Sequence, residues 1–276
     1  MQASHETWVT FRLAGSKQAL ILLPVFVDGR GPYSFVLDTG ATSMVSNELA
    51  DALALPQGEK QDGRGAAGKM TLVKSQLPSL TVGHETIESL PVSVTDLSFL
   101  GRAMGAQVDG LLGHGFLKHF AMTVDYATNA LTLRRHAGGT EWTLDEREIP
   151  FQRANAEDPL VVVPVFVNEK GPFDFALDTG ASSTVISLEL AAEFGLAMEK
   201  ISQLTAGGGN GAVSRVRLSS LAVGAARQEN LAAAASDFLT QLNAELRSKL
   251  QGIVGYDFLR HYRVTLDYPR GALNLK

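Results

Sequence analysis

The stretches FVLDTGA at residues 35–41 and FALDTGA at residues 175–181 decide the fold of this 276-residue chain. In each stretch a run of apolar residues leads into an Asp-Thr-Gly triplet, which predicts a buried strand that ends at the Asp. The triplets begin at Asp38 and Asp178, 140 residues apart, and twice that spacing is close to the whole length. One triplet alone is compatible with an ordinary turn, but two at this spacing indicate a duplicated unit.

Further matches show that the repeat runs through the whole chain. The offset between matched residues grows from 140 to 142, so two small insertions distinguish the copies. The matched segments are LPVFV 23–27 with VPVFV 163–167, GPYSFVL 31–37 with GPFDFAL 171–177, LTVG 80–83 with LAVG 221–224, LLG 111–113 with IVG 253–255, and FLKHF 116–120 with FLRHY 258–262. Two copies are too few for a solenoid, so the repeat predicts a pseudo-twofold pair of domains, residues 1–137 and 138–276.

The local patterns predict a protein made mostly of β-strands. Each copy opens with an apolar strand, a Gly-Pro turn and a second strand that ends at the Asp. Ser46 and Ser187 are expected to be the N-caps of short helices at Asn47–Leu53 and Leu188–Phe194. The Ala-rich segment Glu229–Leu250 carries apolar residues at helical spacing, which predicts an inserted helix.

Composition excludes several classes of protein. Hydrophobic residues make up 45% of the chain and charged residues 19%, which is typical of a globular protein rather than a disordered one. The net charge of −5 disfavours a nucleic-acid partner, because phosphate contacts need a basic face. The chain has no cysteine, no His-Glu-x-x-His and no Gly-x-Ser-x-Gly, which weighs against thiol, zinc-protease and serine-hydrolase chemistry. We therefore expect neither a metal nor an organic cofactor.

The sequence also bears on membranes and on location. The longest apolar run, residues 19–27, is interrupted by Pro24 and is far shorter than the roughly 20 residues of a membrane-spanning helix. Residues 1–6 lack the basic and apolar regions of a signal peptide. The compartment stays open: a periplasmic or secreted location is favoured if a leader has been removed, and a cytoplasmic location otherwise.

With its paired Asp-Thr-Gly-Ala motifs and the downstream sequences LLG and IVG, the chain resembles the aspartic proteases, specifically the retropepsin-like branch. The resemblance extends from about Ala19 to Leu275. It implies a bilobal all-β acid-protease fold of two retropepsin-like β-barrel lobes with short helices, both carried on one chain as in pepsin-like enzymes. Ala41 and Ala181 follow the retropepsin pattern, whereas pepsins have Ser or Thr there. The missing hydroxyl donor predicts a working pH nearer neutral than that of pepsin.

The repeat symmetry gives Asp38 and Asp178 the catalytic role in this interpretation. A twofold axis would bring the two carboxyl groups face to face, and two such groups about 3 Å apart share one proton and titrate as a unit. The ionised group then takes a proton from water while the protonated group donates to the substrate carbonyl oxygen. The resemblance further implies that the neighbouring residues support this pair: Thr39, Gly40, Ala41, Thr179, Gly180 and Ala181.

Two glycine-rich segments are candidates for flaps that cover a substrate cleft. The first, Gly63–Gly68, matches the dinucleotide-binding pattern G-x-G-x-x-G, but the required strand–turn–helix context is missing. Glycine supplies the turns and mobility of a closing lid, although an ordinary surface turn uses glycine as well. The flap candidates are Gly65, Ala66, Ala67 and Gly68 in the first copy and Gly207, Gly208, Gly209 and Asn210 in the second.

A second repeated carboxylate pair needs a separate interpretation. Asp125 and Asp267 each lie just before a turn, in VDY and LDY. Asp commonly accepts hydrogen bonds from turn backbone, so we interpret both as turn caps rather than as a dyad.

The sequence therefore predicts an aspartic endopeptidase that is complete in a single chain. Its partner would be a peptide or protein substrate bound in extended conformation between the lobes. Two alternatives stay open: a catalytically silent peptide-binding module on the same fold, and a dedicated processing protease for one partner protein.

Overall fold

The chain forms a bilobal all-β structure with short helices, seen in a computed structural model. The structure describes residues 6–15, 19–65, 68–136, 145–154, 159–200 and 213–276. Three sheets organise these residues. Each half of the chain supplies one eight-stranded sheet, and the two halves share a third sheet of six strands.

The described elements follow the same order in both halves. In the first half they are β1 (Glu6–Thr10), β2 (Arg12–Ala14), β3 (Leu20–Val27), β4 (Arg30–Leu37), β5 (Met44–Ser46), α1 (Asn47–Ala52), β6 (Lys60–Gly65), β7 (Gly68–Val82), β8 (Glu85–Thr95), α2 (Ser98–Met104), β9 (Gly110–Leu112), α3 (His114–Leu117), β10 (Ala121–Asp125) and β11 (Ala130–Arg134). In the second half they are β12 (Ile149–Pro150), β13 (Gln152–Arg153), β14 (Val161–Val167), β15 (Lys170–Leu177), β16 (Val185–Ser187), α4 (Leu188–Glu193), β17 (Glu199–Lys200), β18 (Val213–Val223), β19 (Ala226–Ser236), α5 (Phe238–Leu246), β20 (Gly252–Val254), α6 (Tyr256–Leu259), β21 (Arg263–Asp267) and β22 (Ala272–Leu275).

The two eight-stranded sheets have equivalent topology. Their orders are β2-β3-β4-β9-β5-β8-β7-β6 and β13-β14-β15-β20-β16-β19-β18-β17, so each strand of one sheet has its repeat counterpart in the other. In both, the strand that leads to the Asp pairs in parallel with a short apolar strand, β4 with β9 and β15 with β20. The sequence repeat is therefore a structural repeat.

The six-stranded sheet joins the halves, in the order β1-β11-β10-β21-β22-β12. Its central pair, β10 and β21, runs antiparallel and brings together one strand from each half. Met122, Val124, Val264 and Leu266 point to one side of this pair and are fully buried. They belong to one hydrophobic core that contains residues of both halves, so separating the halves would expose this apolar surface to water.

Helices α1 and α4 begin directly after their predicted N-caps, Ser46 and Ser187. The Ser46 hydroxyl accepts a hydrogen bond from Leu49 N at 3.1 Å, and the Ser187 hydroxyl accepts one from Leu190 N at 3.0 Å. Helices α1 and α4 end at Ala52 and Glu193, one residue before the predicted ends. Among the described residues, none of the helices has the length and apolar character needed to cross a membrane.

The predicted helix over Glu229–Leu250 is wrong in its first part. Residues 226–236 form strand β19, and the helix begins only at Phe238. Strand β19 lies between β18 and β16, and Ala233, Ala234 and Ala235 are buried there. Pairing with strands on both sides overrides the helix propensity of alanine, which is a weak preference compared with tertiary burial.

Candidate active site

Each Asp-Thr-Gly loop is held by the short apolar strand that the repeat places beside it. Asp38 N donates to Leu112 O at 3.1 Å, and Asp178 N donates to Val254 O at 3.0 Å. These bonds continue the parallel pairing of β4 with β9 and of β15 with β20. The LLG and IVG segments therefore position the two Asp residues at the ends of their strands.

Thr39 and Thr179 connect the two loops crosswise. The Thr39 hydroxyl donates to Leu177 O at 3.0 Å and accepts from Thr179 N at 3.0 Å. The Thr179 hydroxyl donates to Leu37 O at 2.9 Å and accepts from Thr39 N at 3.1 Å. Both side chains are buried, so these four bonds fix one loop against the other without competition from water.

The crosswise bonds bring the carboxyl groups of Asp38 and Asp178 into hydrogen-bonding contact. Gly40 N donates to Asp38 Oδ1 at 2.9 Å, and Gly180 N donates to Asp178 Oδ1 at 2.7 Å. A Cβ atom on Gly40 would lie 2.7 Å from Asp178 Cγ, and one on Gly180 would lie 2.5 Å from Asp38 Cγ. Only glycine allows each loop to approach the opposite carboxyl group this closely.

The environment favours a shared proton on this pair. Burial, followed by the negative charge of Asp178, raises the pKa of Asp38 well above its usual range. Burial also raises the pKa of Asp178, while backbone N–H groups, including those of Gly180 and Ala181, act in the opposite direction. Both side chains keep partial contact with solvent. The pair therefore holds a proton at pH values where an isolated Asp is ionised, and water can still reach it.

Two rings behind the loops were missed by the sequence analysis. His114 N donates to Ala41 O at 2.9 Å, and its repeat counterpart Tyr256 N donates to Ala181 O at 2.8 Å. The His114 ring contacts Tyr268 of the other half, with ring centroids 5.6 Å apart. Tyr256 contacts Tyr126 at the same separation. The repeat offset relates His114 to Tyr256 and Tyr126 to Tyr268, and this offset was the available signal for these rings.

Tyr126 and Tyr268 complete this layer of rings. Both hydroxyl groups are buried and have no hydrogen-bond partner among the described residues. Burial raises the pKa of both phenols, and the negative charge of Asp178 adds to the effect. The two tyrosines therefore stay neutral beside the dyad and contribute apolar packing rather than charge.

The second half has an additional, partly buried carboxylate next to its loop. Asp257 accepts from Thr184 N at 2.8 Å, from the Thr184 hydroxyl at 2.6 Å and from Phe258 N at 2.8 Å. Burial raises the pKa of Asp257. Thr184 in turn accepts from Gly255 N at 3.3 Å, which ties Asp257 to the IVG segment.

The first flap candidate lies on a β-hairpin. Gly65 and Gly68 pair with each other where β6 meets β7, and Ala66 and Ala67 lie outside the described residues. Because two antiparallel strands flank this segment, the dinucleotide interpretation fails. The second flap candidate, Gly207, Gly208, Gly209 and Asn210, lies wholly outside the described residues.

Asp125 and Asp267 cap turns rather than forming a second dyad. Asp125 Oδ1 accepts from Ala127 N at 3.0 Å and from Thr128 N at 3.1 Å, which confirms a turn cap. Asp267 caps its turn through Arg270 N at 3.2 Å and also contacts His136 Nε2 at 2.8 Å, which the sequence analysis did not anticipate. Among the described residues, no group of three or more His, Asp or Glu side chains is arranged to hold a metal ion.

Comparison with known families places these observations in context. A family model described as aspartyl protease matches the chain twice, at residues 23–116 and 163–258. The two matches together cover more than half of the chain, and each contains one Asp-Thr-Gly triplet. A comparison with curated proteins found no match. The chain belongs to the aspartyl protease family and carries two copies of the domain that defines it.

Proposed function

We propose that the protein is an aspartic endopeptidase that hydrolyses peptide bonds with Asp38 and Asp178. The observation that carries the proposal is the contact between these two carboxyl groups, which the Thr39–Thr179 bonds hold together. Membership of the aspartyl protease family supports the same chemistry. The residues supplied by both halves are present in one chain, so a second chain is not needed to form the dyad.

The proposed reaction uses one water molecule and the shared proton. The ionised carboxylate takes a proton from water as the water oxygen bonds to the peptide carbonyl carbon, while the protonated carboxyl group donates to the carbonyl oxygen. The tetrahedral intermediate then collapses. Its C–N bond breaks as the amine nitrogen receives the proton taken from water, and a hydroxyl group of the intermediate gives its proton to the other carboxylate, so the dyad again carries one proton.

The carboxyl pair also supports the proposed working pH. The reaction needs one protonated and one ionised group, and the raised pKa of Asp38 extends this state toward higher pH. Ala41 and Ala181 carry no hydroxyl that would stabilise the ionised form through a further hydrogen bond. We therefore expect the optimum to lie nearer neutral pH than that of pepsin.

The proposed substrate is a peptide segment in extended conformation. The hairpin of β6 and β7 presents backbone groups that an added strand could pair with. We assign Gly65 and Gly68, with Ala66 and Ala67 between them, to one flap, and residues 207–210 to the other. The proposed domain boundary lies between residues 137 and 138.

Cleavage of a mixed peptide library tests this function. We expect the wild-type protein to cleave a subset of the peptides between pH 4 and 7. Asp38→Asn and Asp178→Asn should each reduce the rate about a thousandfold or more, because either change removes the acid–base pair. Asp51→Asn is the matched control, since Asp51 is exposed on α1, and it should leave the rate unchanged.

Mass spectrometry of the products separates the alternatives. Peptides that bind without being cleaved would point to the silent binding module. Cleavage of a single sequence would point to a dedicated processing protease. Cleavage that persists in both Asn variants would overturn the assignment of the dyad.

A further inference from the structure

The outward face of the six-stranded sheet carries a pocket that lies apart from the dyad. Along β10, Met122 and Val124 point into the core, so Thr123 between them points outward. Thr265 of β21 lies directly opposite, and the two hydroxyl groups are 2.9 Å apart. A pocket of about 420 Å³ surrounds this pair, and its lining residues are Glu6, Ala121, Thr123, Thr132, Arg134, Arg263, Thr265 and Lys276.

The charge of this pocket contrasts with that of the whole chain. Arg134, Arg263 and Lys276 line it against a single acidic residue, Glu6, although the chain as a whole carries a net charge of −5. All four side chains are exposed. Across the described part of the chain, none of the three cations forms an ion pair with an acidic side chain. Their charge is therefore available to a ligand.

The repeat distributes these groups about the junction of the halves. Arg134 and Lys276 are repeat counterparts, as are Thr123 and Thr265. One of these hydroxyl groups donates to the other, so the pair leaves one O–H donor free at the centre of the pocket, beside cations supplied by both halves. Arginine binds oxyanions through paired N–H groups, and the free threonine hydroxyl adds a single donor.

We infer that this pocket binds a small polyvalent phosphate. Charge complementarity selects an anion, and three cations around two hydroxyl groups suit a ligand with several phosphate oxygens. The volume of about 420 Å³ fits a small molecule rather than a long polyanion, and the acidic chain repels an extended one. Because the ligand would contact both β10 and β21, its binding should strengthen the association of the two halves.

Isothermal titration calorimetry with inorganic pyrophosphate tests the inference. At constant ionic strength we expect saturable binding of one pyrophosphate to each full-length chain. Arg134→Ala combined with Arg263→Ala should weaken binding at least tenfold. The matched control combines Arg12→Ala with Arg30→Ala, which removes the same charge from exposed strand positions elsewhere, and should bind as the wild type does.

A second variant protects the test against misfolding. Arg263→Ala alone gives this position the side chain of its repeat counterpart Ala121, which the fold already accepts on β10. It should weaken pyrophosphate binding at least threefold. Pyrophosphate should also raise the thermal unfolding midpoint of the wild type more than an equal ionic strength of sodium chloride does. The inference is overturned if the wild type shows no saturable binding, or if both double variants bind equally well.

Discussion

The first and second halves present the same Asp-Thr-Gly loop, yet different side chains support it. In the first half, the Ser43 hydroxyl lies 3.3 Å from both N and O of Gly113. In the second half, Thr184 occupies the equivalent place and bonds to the partly buried carboxylate of Asp257, whose counterpart is Gly115. The two loops therefore differ on the side that faces only their own half.

Contacts that cross between the halves differ less. Thr39 and Thr179 are identical and make the same bonds in both directions. His114 and Tyr256 differ in chemistry, but both place a flat ring against a tyrosine of the other half. The contacts between the halves therefore share one geometry, whereas the contacts that support each loop within its own half differ.

The largest effect is expected where the halves are most alike. Thr39→Val and Thr179→Val should each lower the free energy of unfolding by about 2 to 5 kcal/mol, because each leaves a buried N–H and a buried carbonyl without partners. The two losses should be equal within error in urea denaturation. Thr10→Val, at an exposed strand position, serves as the control and should have little effect. A small loss for only one of the two threonines would break the proposed equivalence.

A smaller effect is expected where the halves differ. Asp257→Ala should lower the free energy of unfolding by about 1 to 3 kcal/mol, because the buried residues Thr184 and Phe258 lose their acceptor. Asp257→Asn keeps an acceptor oxygen and should cost less. Since the folded pKa of Asp257 is raised, the wild type loses stability as the pH rises through that pKa. The Asn variant should therefore gain on the wild type between pH 4 and 7, and an unchanged gap would contradict this account.

His114→Tyr exchanges one ring of the junction for its counterpart. Burial, together with the positive charges of Arg153, Lys118 and His119, lowers the pKa of His114. The unfolded chain therefore takes up a proton first as the pH falls, and the wild type loses stability below about pH 6.5. The Tyr variant lacks this loss, which should be under about 1 kcal/mol because the side chain is partly exposed. Urea denaturation at pH 7.5 and 5.5 measures the difference, and identical pH dependence would contradict the assignment.

The smallest effect is expected for two ion pairs that the repeat places at equivalent positions. Lys74 Nζ and Arg215 Nη1 each lie 3.3 Å from Oε2 of Glu59 and Glu199, respectively. All four side chains are largely exposed, so Lys74→Ala and Arg215→Ala should each change the free energy of unfolding by less than about 0.5 kcal/mol. Thermal denaturation of both variants checks this, and a loss above 1 kcal/mol in either would show that one pair is structural.

The repeated pattern predicted two equivalent, mostly β halves and the meeting of the triplets, whereas the resemblance to aspartic proteases supplied the bilobal acid-protease fold. Apolar runs that end at Asp38 and Asp178 indicate strands, and the spacing requires two equivalent copies. The caps at Ser46 and Ser187 were also predictable, because a cap depends on residues three positions away. These features depend on residues that are close in sequence, or they occur in both copies of the repeat.

The features that the sequence analysis missed depend on distant partners. Thr184 and Asp257 are 73 residues apart, and nothing in either segment identifies the other. The strand at Ala226–Ser236 follows from its neighbours β16 and β18 rather than from its own alanine-rich composition. In both cases tertiary contacts decide the outcome, and local preference does not.

The most direct test of the central claim is a carbon NMR titration of the carboxyl groups of Asp38 and Asp178. Asp38→Asn and Asp178→Asn variants would identify their signals. The account predicts two coupled steps, with one proton retained well above the usual Asp pKa of about 3.9, and loss of the coupling in either variant. Two independent titrations near the usual value would show that the halves do not form a shared-proton dyad.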